Sequence, residues 1–398
     1  MARDYDAIIV GAGMVGALSA VLLARQGMSV ALIDRHDGRY ALSVPPAYDA
    51  RVSAISRHSQ QLLSEAGAWQ RIDSTRLAAY QKMRVWDGLG QGEVDFDCAQ
   101  TALPDLGHLV ENNVLCQGLM DAVQDTRGVD LFLSDMVTEQ QRVNGRVEVT
   151  LASDRQLSGQ VLIAADGARS QMRDQFGFNM VEWDYGHHAI VTTVQVDRSH
   201  QDTAWQAFGD EGILAFLPLP SVNDEHFISI VWSVPPMEAE ALMALSDEAF
   251  CQRLTYAISE RFNAMCLTVP RQAIPLRQRH AKQYIQENVV LIGDAAHTIH
   301  PLAGQGANLG FGDVGDLVAI LTKAFKRGED LGSMMVLRRY QRARIIENVL
   351  MSASMETFKR VFTTTQPAIV QLRNTAMKLA QSSAFIRNKL VAHASGIK

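Results

Sequence analysis

Val289-Val290-Leu291-Ile292-Gly293-Asp294-Ala295-Ala296-His297 runs on through Thr298-Ile299-His300-Pro301 to Leu302-Ala303-Gly304-Gln305-Gly306-Ala307-Asn308-Leu309, and its reading decides the fold. Four apolar residues ending in Gly-Asp predict a buried strand that meets a tight turn. A proline follows, then glycines that open a predicted helix over 306–325. This design sets backbone N–H groups and one carboxylate at a strand's C-terminal edge, where open α/β sheets place ligands.

Working outward, the start of the chain carries a second strand–turn–helix. Residues 6–10 read as a short apolar strand. Gly11-Ala12-Gly13-Met14-Val15-Gly16 is a G-x-G-x-x-G opening a helix to about residue 26, and 29–34 is a second strand. Gly11 serves the tight turn, Gly13 close approach to a pyrophosphate, Gly16 helix–strand packing. Asp34 falls where an acid binds a ribose hydroxyl. Strand, helix, strand and acid in register point to a nucleotide, without separating FAD from NAD. The uncharged run 7–24 is long enough to invite a membrane reading, but three glycines interrupt it and two acids precede it. A buried strand and helix is expected, with neither export nor a spanning helix.

Between these ends, Arg51-Val52-Ser53-Ala54-Ile55-Ser56 precedes an amphipathic helix ending near Gly67. Taken alone, Arg51 reads as a solvated surface residue. Residues 111–123 read as a helix, and 129–133 and 141–151 as strands, the second broken by the hairpin signal Asn144-Gly145. Val161-Leu162-Ile163-Ala164-Ala165-Asp166-Gly167 repeats the buried strand ending in Asp-Gly, followed by a loop with Ser170 and Arg173. Residues 188–196, 203–208, 213–219 and 226–234 are β-rich, and one helix is expected over 237–262. This region reads as an antiparallel sheet inserted into a nucleotide-binding domain. Its aromatics Phe216, Phe227 and Trp232 are candidates for an apolar substrate pocket, with plain core as the commoner role for such residues. His187-His188 lacks companions at ligand spacing, so no metal site is expected.

Composition is that of an ordinary globular protein, 398 residues with 47% hydrophobic and 20% charged. The four cysteines are scattered and suit buried positions in a reducing cytoplasm. No basic stripe suggests nucleic acid. With a whole-chain charge of −6, seven cations and no acid after Glu356 leave −13 on residues 1–356. In that tail Leu372, Ala376, Leu379, Ser383, Ile386 and Leu390 recur at helical spacing among basic residues. The pattern fits a helix packed on its own core or on a second copy in a homo-oligomer, or a basic amphipathic helix on an anionic membrane.

The order of these elements resembles the single-component FAD-dependent aromatic hydroxylases of the para-hydroxybenzoate hydroxylase type. The likeness tightens at Arg51–Ser56, Val110-Glu111-Asn112, Trp183-Asp184-Tyr185 and His187-His188, and most of all at 295–306. There the chain is similar to the bacterial hydroxylases of ubiquinone biosynthesis, which act on polyprenyl phenols and quinols. The resemblance implies an α/β fold: a Rossmann-like FAD-binding domain (1–179 and 275–355), an inserted antiparallel β-sheet substrate domain (180–274) and a basic helical C-terminal segment (356–398). It implies FAD as cofactor, NAD(P)H as reductant and O2 as co-substrate.

By the same resemblance Gly11, Gly13, Gly16 and Asp34 would hold the ADP half of FAD, and Arg51 and Gln117 would meet its flavin side. Asp294 would take the ribityl chain, and the backbone of Gly304, Gly306, Ala307, Asn308 and Leu309 would approach the ring, with Pro301 beside it. Asp166 and Gly167, with Ser170 and Arg173, match a motif linked to both FAD and NADPH. No residue is required as a general base, since the flavin carries the chemistry. A 2-polyprenylphenol is the favoured substrate. Other ubiquinone-biosynthesis proteins and the inner face of the cytoplasmic membrane are the expected partners of a cytoplasmic enzyme. The alternative is a non-catalytic flavin- or lipid-binding protein on the same fold.

Overall fold

The computed structural model describes residues 3–383 and residue 387, apart from 46, 89, 102, 210–211, 260, 299–305 and 365. Its first sheet runs Ile285–Gln286, Val289–Leu291, Gln156–Ala164, Arg3–Val10, Val30–Asp34, Val129–Leu133. From Val289–Leu291 onward every neighbour on this path is parallel. Strands covered on both faces need continuous apolar runs, and Ile8, Ile9, Val30, Leu32, Leu162 and Val290 are all fully buried. The hairpin Val137–Val143 and Arg146–Leu151 turns at Asn144 and Gly145, both with positive φ, as an Asn-Gly turn requires.

Helices α1 (Met14–Arg25), α2 (Arg57–Glu65), α3 (Asn112–Gln124) and the short α4 (Gln171–Gln175) belong to this first half. α1 is buried over nearly its whole length because α3 and α7 (Gly306–Phe325) pack against it. The uncharged run 7–24 is thus a strand and an interior helix.

The second sheet has nine strands and is built mainly from Met180–Val196, Thr203–Gly209, Gly212–Pro218, His226–Val234 and Gln272–Ala281. It is larger than the inserted region, because Lys82–Asp87 joins it in parallel beside Thr203–Gly209 and brings Glu93–Asp97 along. In the other direction Gln272–Ala281 runs through the expected boundary at 275 and pairs His280 with His297. The single helix expected over 237–262 is two, α5 (Pro236–Ala244) and α6 (Asp247–Ala257). Ser246 stops the first and caps the second by accepting from the Ala249 N–H at 3.2 Å. A small sheet of Val52–Ile55, Gly107–Glu111 and Ala78–Tyr80 lies between the two large ones.

α8 (Met334–Thr363) passes straight through the expected boundary at 355, and α9 (Pro367–Ser382) folds back onto the Glu93–Asp97 edge. Arg373, read as part of a basic tail, is buried instead. Its guanidinium grips Asp87 at 2.6 and 2.8 Å and donates to the carbonyls of Val361, Phe362 and Thr364. Three of the four cysteines are buried, and Cys266 is exposed.

Candidate active site

Three strands end level with one another. Val10 pairs with Ala164, and Ala164 with Leu291, so Gly11, Asp166 and Gly293 all begin turns at one edge of the first sheet. That shared edge converts three motifs, scattered over some 280 residues, into one site. The first turn is fixed by crowding. Gly11 has φ +104°, and a Cβ there would lie 2.4 Å from the Ala165 carbonyl oxygen. A Cβ on Gly16 would lie 1.8 Å from the Gly11 oxygen, whereas one on Gly13 meets nothing within 4 Å. Gly13 caps α1 without any side-chain bond, and no acid occupies the first turn. The N-terminus of α1, with no side-chain cap of its own, thus opens on the cleft, as a pyrophosphate site needs.

The cleft, about 290 Å³, is lined by Gly11, Gly13, Asp34, Asp166 and Gly167, and also by Arg35, Asp135 and Gln171. Asp34 accepts from the Ala12 N–H and, at 2.7 Å, from the His36 N–H, which orients its carboxylate at the strand end. Asp135 carries the neighbouring loop: its N–H donates to the Asp34 carbonyl, and its carboxylate accepts from Ser153 Oγ at 2.5 Å. Burial works against that carboxylate, but the bonds from Ser153 and Met136 hold its pKa below the ordinary value. Sequence reading missed Asp135, since nothing in its local pattern marks it. Asp166 accepts from Ser170 Oγ and the Met172 N–H, so it shapes its own turn. Arg173, also buried, donates to the Ala168 carbonyl and reaches that of Ala295 at 3.5 Å, tying the second turn to the third.

The third turn hangs on Asp313, a fully buried carboxylate of α7. It accepts from the Gly293 N–H at 2.9 Å, His297 Nε2 at 2.6 Å, Arg344 Nε at 2.8 Å and Asn348 Nδ2 at 3.2 Å. Burial alone would raise its pKa; His297 and Arg344 outweigh burial and bring it to about 2. Asp294 projects from the turn so anchored. It is accessible, yet protein walls most of its surroundings, and that desolvation raises its pKa against the pull of His297 and Arg51. Arg51 is exposed and near enough to Asp294 and Cys116 to act on both electrostatically.

Asn308 locks the start of α7 to the small sheet: its Oδ1 accepts from the Ser56 N–H at 2.9 Å and its Nδ2 donates to the Ala54 carbonyl at 2.7 Å. Its side chain is therefore committed to the protein. The N–H groups of Gly306, Ala307 and Asn308 belong to the first turn of α7, and Leu309 is buried behind them. Pro301 and Gly304 lie outside the described residues. Gln117 is also committed, accepting from the Tyr40 N–H at 3.0 Å and donating to Asp121 at 2.7 Å.

The aromatic candidates separate by the parity of their strands. Phe216 and Trp232 face α5 and α6, where Trp232 meets Phe250 at 6.2 Å and Phe216 meets Phe262 at 6.3 Å between ring centroids. Phe227, on the opposite face, packs on Tyr48 and Leu219 at one end of the sheet. Ala215, Leu217 and Val231 form the face that meets Ala54, and Ala189 and Val191 the part that meets Ala50, beside Arg51. The sheet face toward the site is thus aliphatic around Ala215, Leu217 and Val231, with Tyr185 and Phe227 toward its ends and Phe216 and Trp232 behind it.

The arrangement defines a two-sheet protein with a nucleotide-type cleft along the edge of the first sheet. A family model described as FAD binding domain matches residues 4–351. The Escherichia coli (strain K12) 3-demethoxyubiquinol 3-hydroxylase is 33% identical over 396 residues, 99% of each chain. The Xenopus tropicalis ubiquinone biosynthesis monooxygenase COQ6 is 33% identical, over 98% of this chain and 93% of its own. Among solved structures, the Pseudomonas putida p-nitrophenol 4-monooxygenase PnpA superposes with a TM-score of 0.77 at 18% identity, covering all of both chains. The chain belongs to this FAD-binding family, within the ubiquinone hydroxylases, and is an FAD-dependent monooxygenase.

Proposed function

We propose that this monooxygenase hydroxylates the aromatic ring of a polyprenyl phenol or benzoquinol in ubiquinone biosynthesis, with NAD(P)H as reductant and O2 as oxygen donor. The observation that carries this reading is the near-full-length likeness to two hydroxylases named for that pathway. The aliphatic face of Ala189, Val191, Ala215, Leu217 and Val231 supports it, since a neutral prenylated ring needs no cation to receive it. A 2-polyprenylphenol is the favoured substrate, and 3-demethoxyubiquinol, after the bacterial relative, is its competitor.

The N–H groups at the start of α1 would hold the pyrophosphate and Asp34 the adenosine ribose; Asp294 would accept from the ribityl hydroxyls. When bound, FAD supplies the electron transfer from NAD(P)H and the activation of O2 that no side chain can perform. The protein's part is positional. The N-terminus of α7, fastened by Asn308, would favour negative charge beside the ring by roughly 0.3–1 kcal/mol, and more where buried. The aliphatic sheet face would exclude water and hold the substrate ring in reach. Arg173 and Arg279 both donate to the Ala168 carbonyl and stiffen the Asp166–Gly167 turn.

Purified holoprotein given NADPH, labelled O2 and a short-chain 2-prenylphenol should consume NADPH faster with the phenol than without and put one labelled oxygen on the ring. NADPH consumption that no prenylphenol or demethoxyquinol stimulates would refute the proposal.

A further inference from the structure

The outer surface of α8 and α9 is unlike the rest of the molecule. On α8, Ile346, Val349 and Leu350 are 64, 47 and 62% exposed, and with Ala353 they follow the i, i+3, i+4, i+7 spacing of one helix face. On α9, Leu372 and Leu379 are 70 and 60% exposed, with Ala376 between them. These stripes are joined. Leu350 and Ala353 border a groove floored by Val361 and Phe362, and Val361 and Phe362 also line a less open cleft of about 400 Å³ beside Leu372 and Ala376. Each helix therefore has two apolar sides, one packed on the protein and one facing outward. An outward apolar surface that is continuous across two helices marks an interaction site.

Charge decides what it meets. After Glu356 the sequence holds seven cations and no acid; among the described ones Arg373 is neutralised inside the fold by Asp87, and Arg360 pairs at the surface with Glu356. Lys378 is exposed on α9, between the two exposed leucines. Pairing two copies through this face would bring like-charged rims together, which disfavours a dimer here. An apolar stripe rimmed by cations instead matches an anionic bilayer surface. No helix among the described residues is long and apolar enough to cross a membrane, so such contact is lateral.

We infer that α8 and α9 together form the face by which the enzyme lies on an anionic phospholipid membrane, Ile346, Val349, Leu350, Leu372 and Leu379 entering the headgroup–acyl boundary. The inference is independent of which ring the enzyme hydroxylates. The reading of the tail from its sequence placed this contact on one basic helix; the structure supplies α8 as an equal half and removes Arg373 from the lipid-facing charge.

The test uses the FAD-loaded protein with phosphatidylcholine vesicles and with mixed phosphatidylcholine–phosphatidylglycerol vesicles. The wild type should co-sediment with the mixed vesicles, less with phosphatidylcholine alone, and less as salt rises. Leu350→Glu/Leu372→Glu/Leu379→Glu should lose about tenfold or more in binding, which is roughly 1.4 kcal/mol, with FAD content and NADPH consumption unchanged. Lys378→Gln, a mild surface change, should weaken binding to the mixed vesicles alone. Wild-type protein that stays in the supernatant with anionic vesicles overturns the inference, as does a triple variant that binds undiminished. A wild-type dimer that the triple variant converts to monomer, without any vesicle binding, assigns the face to a second copy instead.

Discussion

Gly13 and Gly16 stand three residues apart in one motif and do opposite physical work. Gly16 is glycine because the protein needs the space: a methyl there would sit 1.8 Å from the Gly11 carbonyl oxygen, inside the α1–strand contact. Gly13 is glycine although nothing of the protein lies within 4 Å of its missing Cβ, which opens on the cleft proposed for the pyrophosphate. Gly16→Ala should therefore destabilise the fold by about 1–3 kcal/mol, the range for overpacking, read as a lowered urea midpoint. Gly13→Ala should leave that midpoint nearly unchanged while FAD affinity, measured by flavin fluorescence on titrating apoprotein, falls about tenfold or more. Equal effects of both substitutions on stability would mean that the cleft is not where the pyrophosphate lies.

At the scale of elements, the Asp87–Arg373 pair shows how α9 is held. Both side chains are buried, and Asn374 adds a bond to Asp87 at 2.7 Å, so one carboxylate fastens the helix to the second sheet. Arg373→Met should cost about 3–5 kcal/mol by leaving Asp87 charged and buried, and adding Asp87→Asn should restore much of it; a double-mutant cycle on urea midpoints measures this. Strand–turn–helix units were legible in the sequence because their signals are local: apolar runs, Gly and Asp at turns, Asn-Gly between strands. The second sheet was harder. Lys82-Met83-Arg84-Val85 and Glu93-Val94-Asp95-Phe96 alternate as half-buried strands do, but Lys82 pairs with Thr203, a partner that local pattern cannot name. Phe216 and Trp232 were legible as buried, yet which sheet face points at the cofactor depends on how the two sheets dock. Asp313 was illegible for the same reason: its partners Gly293 and Arg344 lie 20 and 31 positions away.

In the molecule as a whole, the two sheets meet where the strand Gln272–Ala281 pairs His280 with His297, on the turn that presents Asp294. His280 is half-buried there, its Nε2 3.4 Å from the Tyr284 hydroxyl, with His297 and Asp313 its nearest charged influences. Burial, reinforced by His297 and opposed by Asp313, lowers its pKa from the ordinary 6.5 to about 4. In an unfolded chain the same imidazole takes its proton near 6.5, so between these values the unfolded state binds more protons. The contribution of neutral His280 to stability is thus complete above 6.5 and is lost as pH falls toward 4. Asp313 adds nothing in that window, because its depressed pKa moves its own loss to between 3.8 and about 2. The melting temperature of the holoprotein should therefore fall on acidification from pH 6.5 to 4, with release of FAD as the sheet junction loosens. His280→Gln, which cannot titrate, should make that part of the profile shallower, the remaining slope coming from groups such as His108 and His200, whose pKa values burial also lowers, while leaving the steeper loss below it. A variant whose melting curve follows the wild type across the whole window would remove His280 as the acid-sensitive point of the junction.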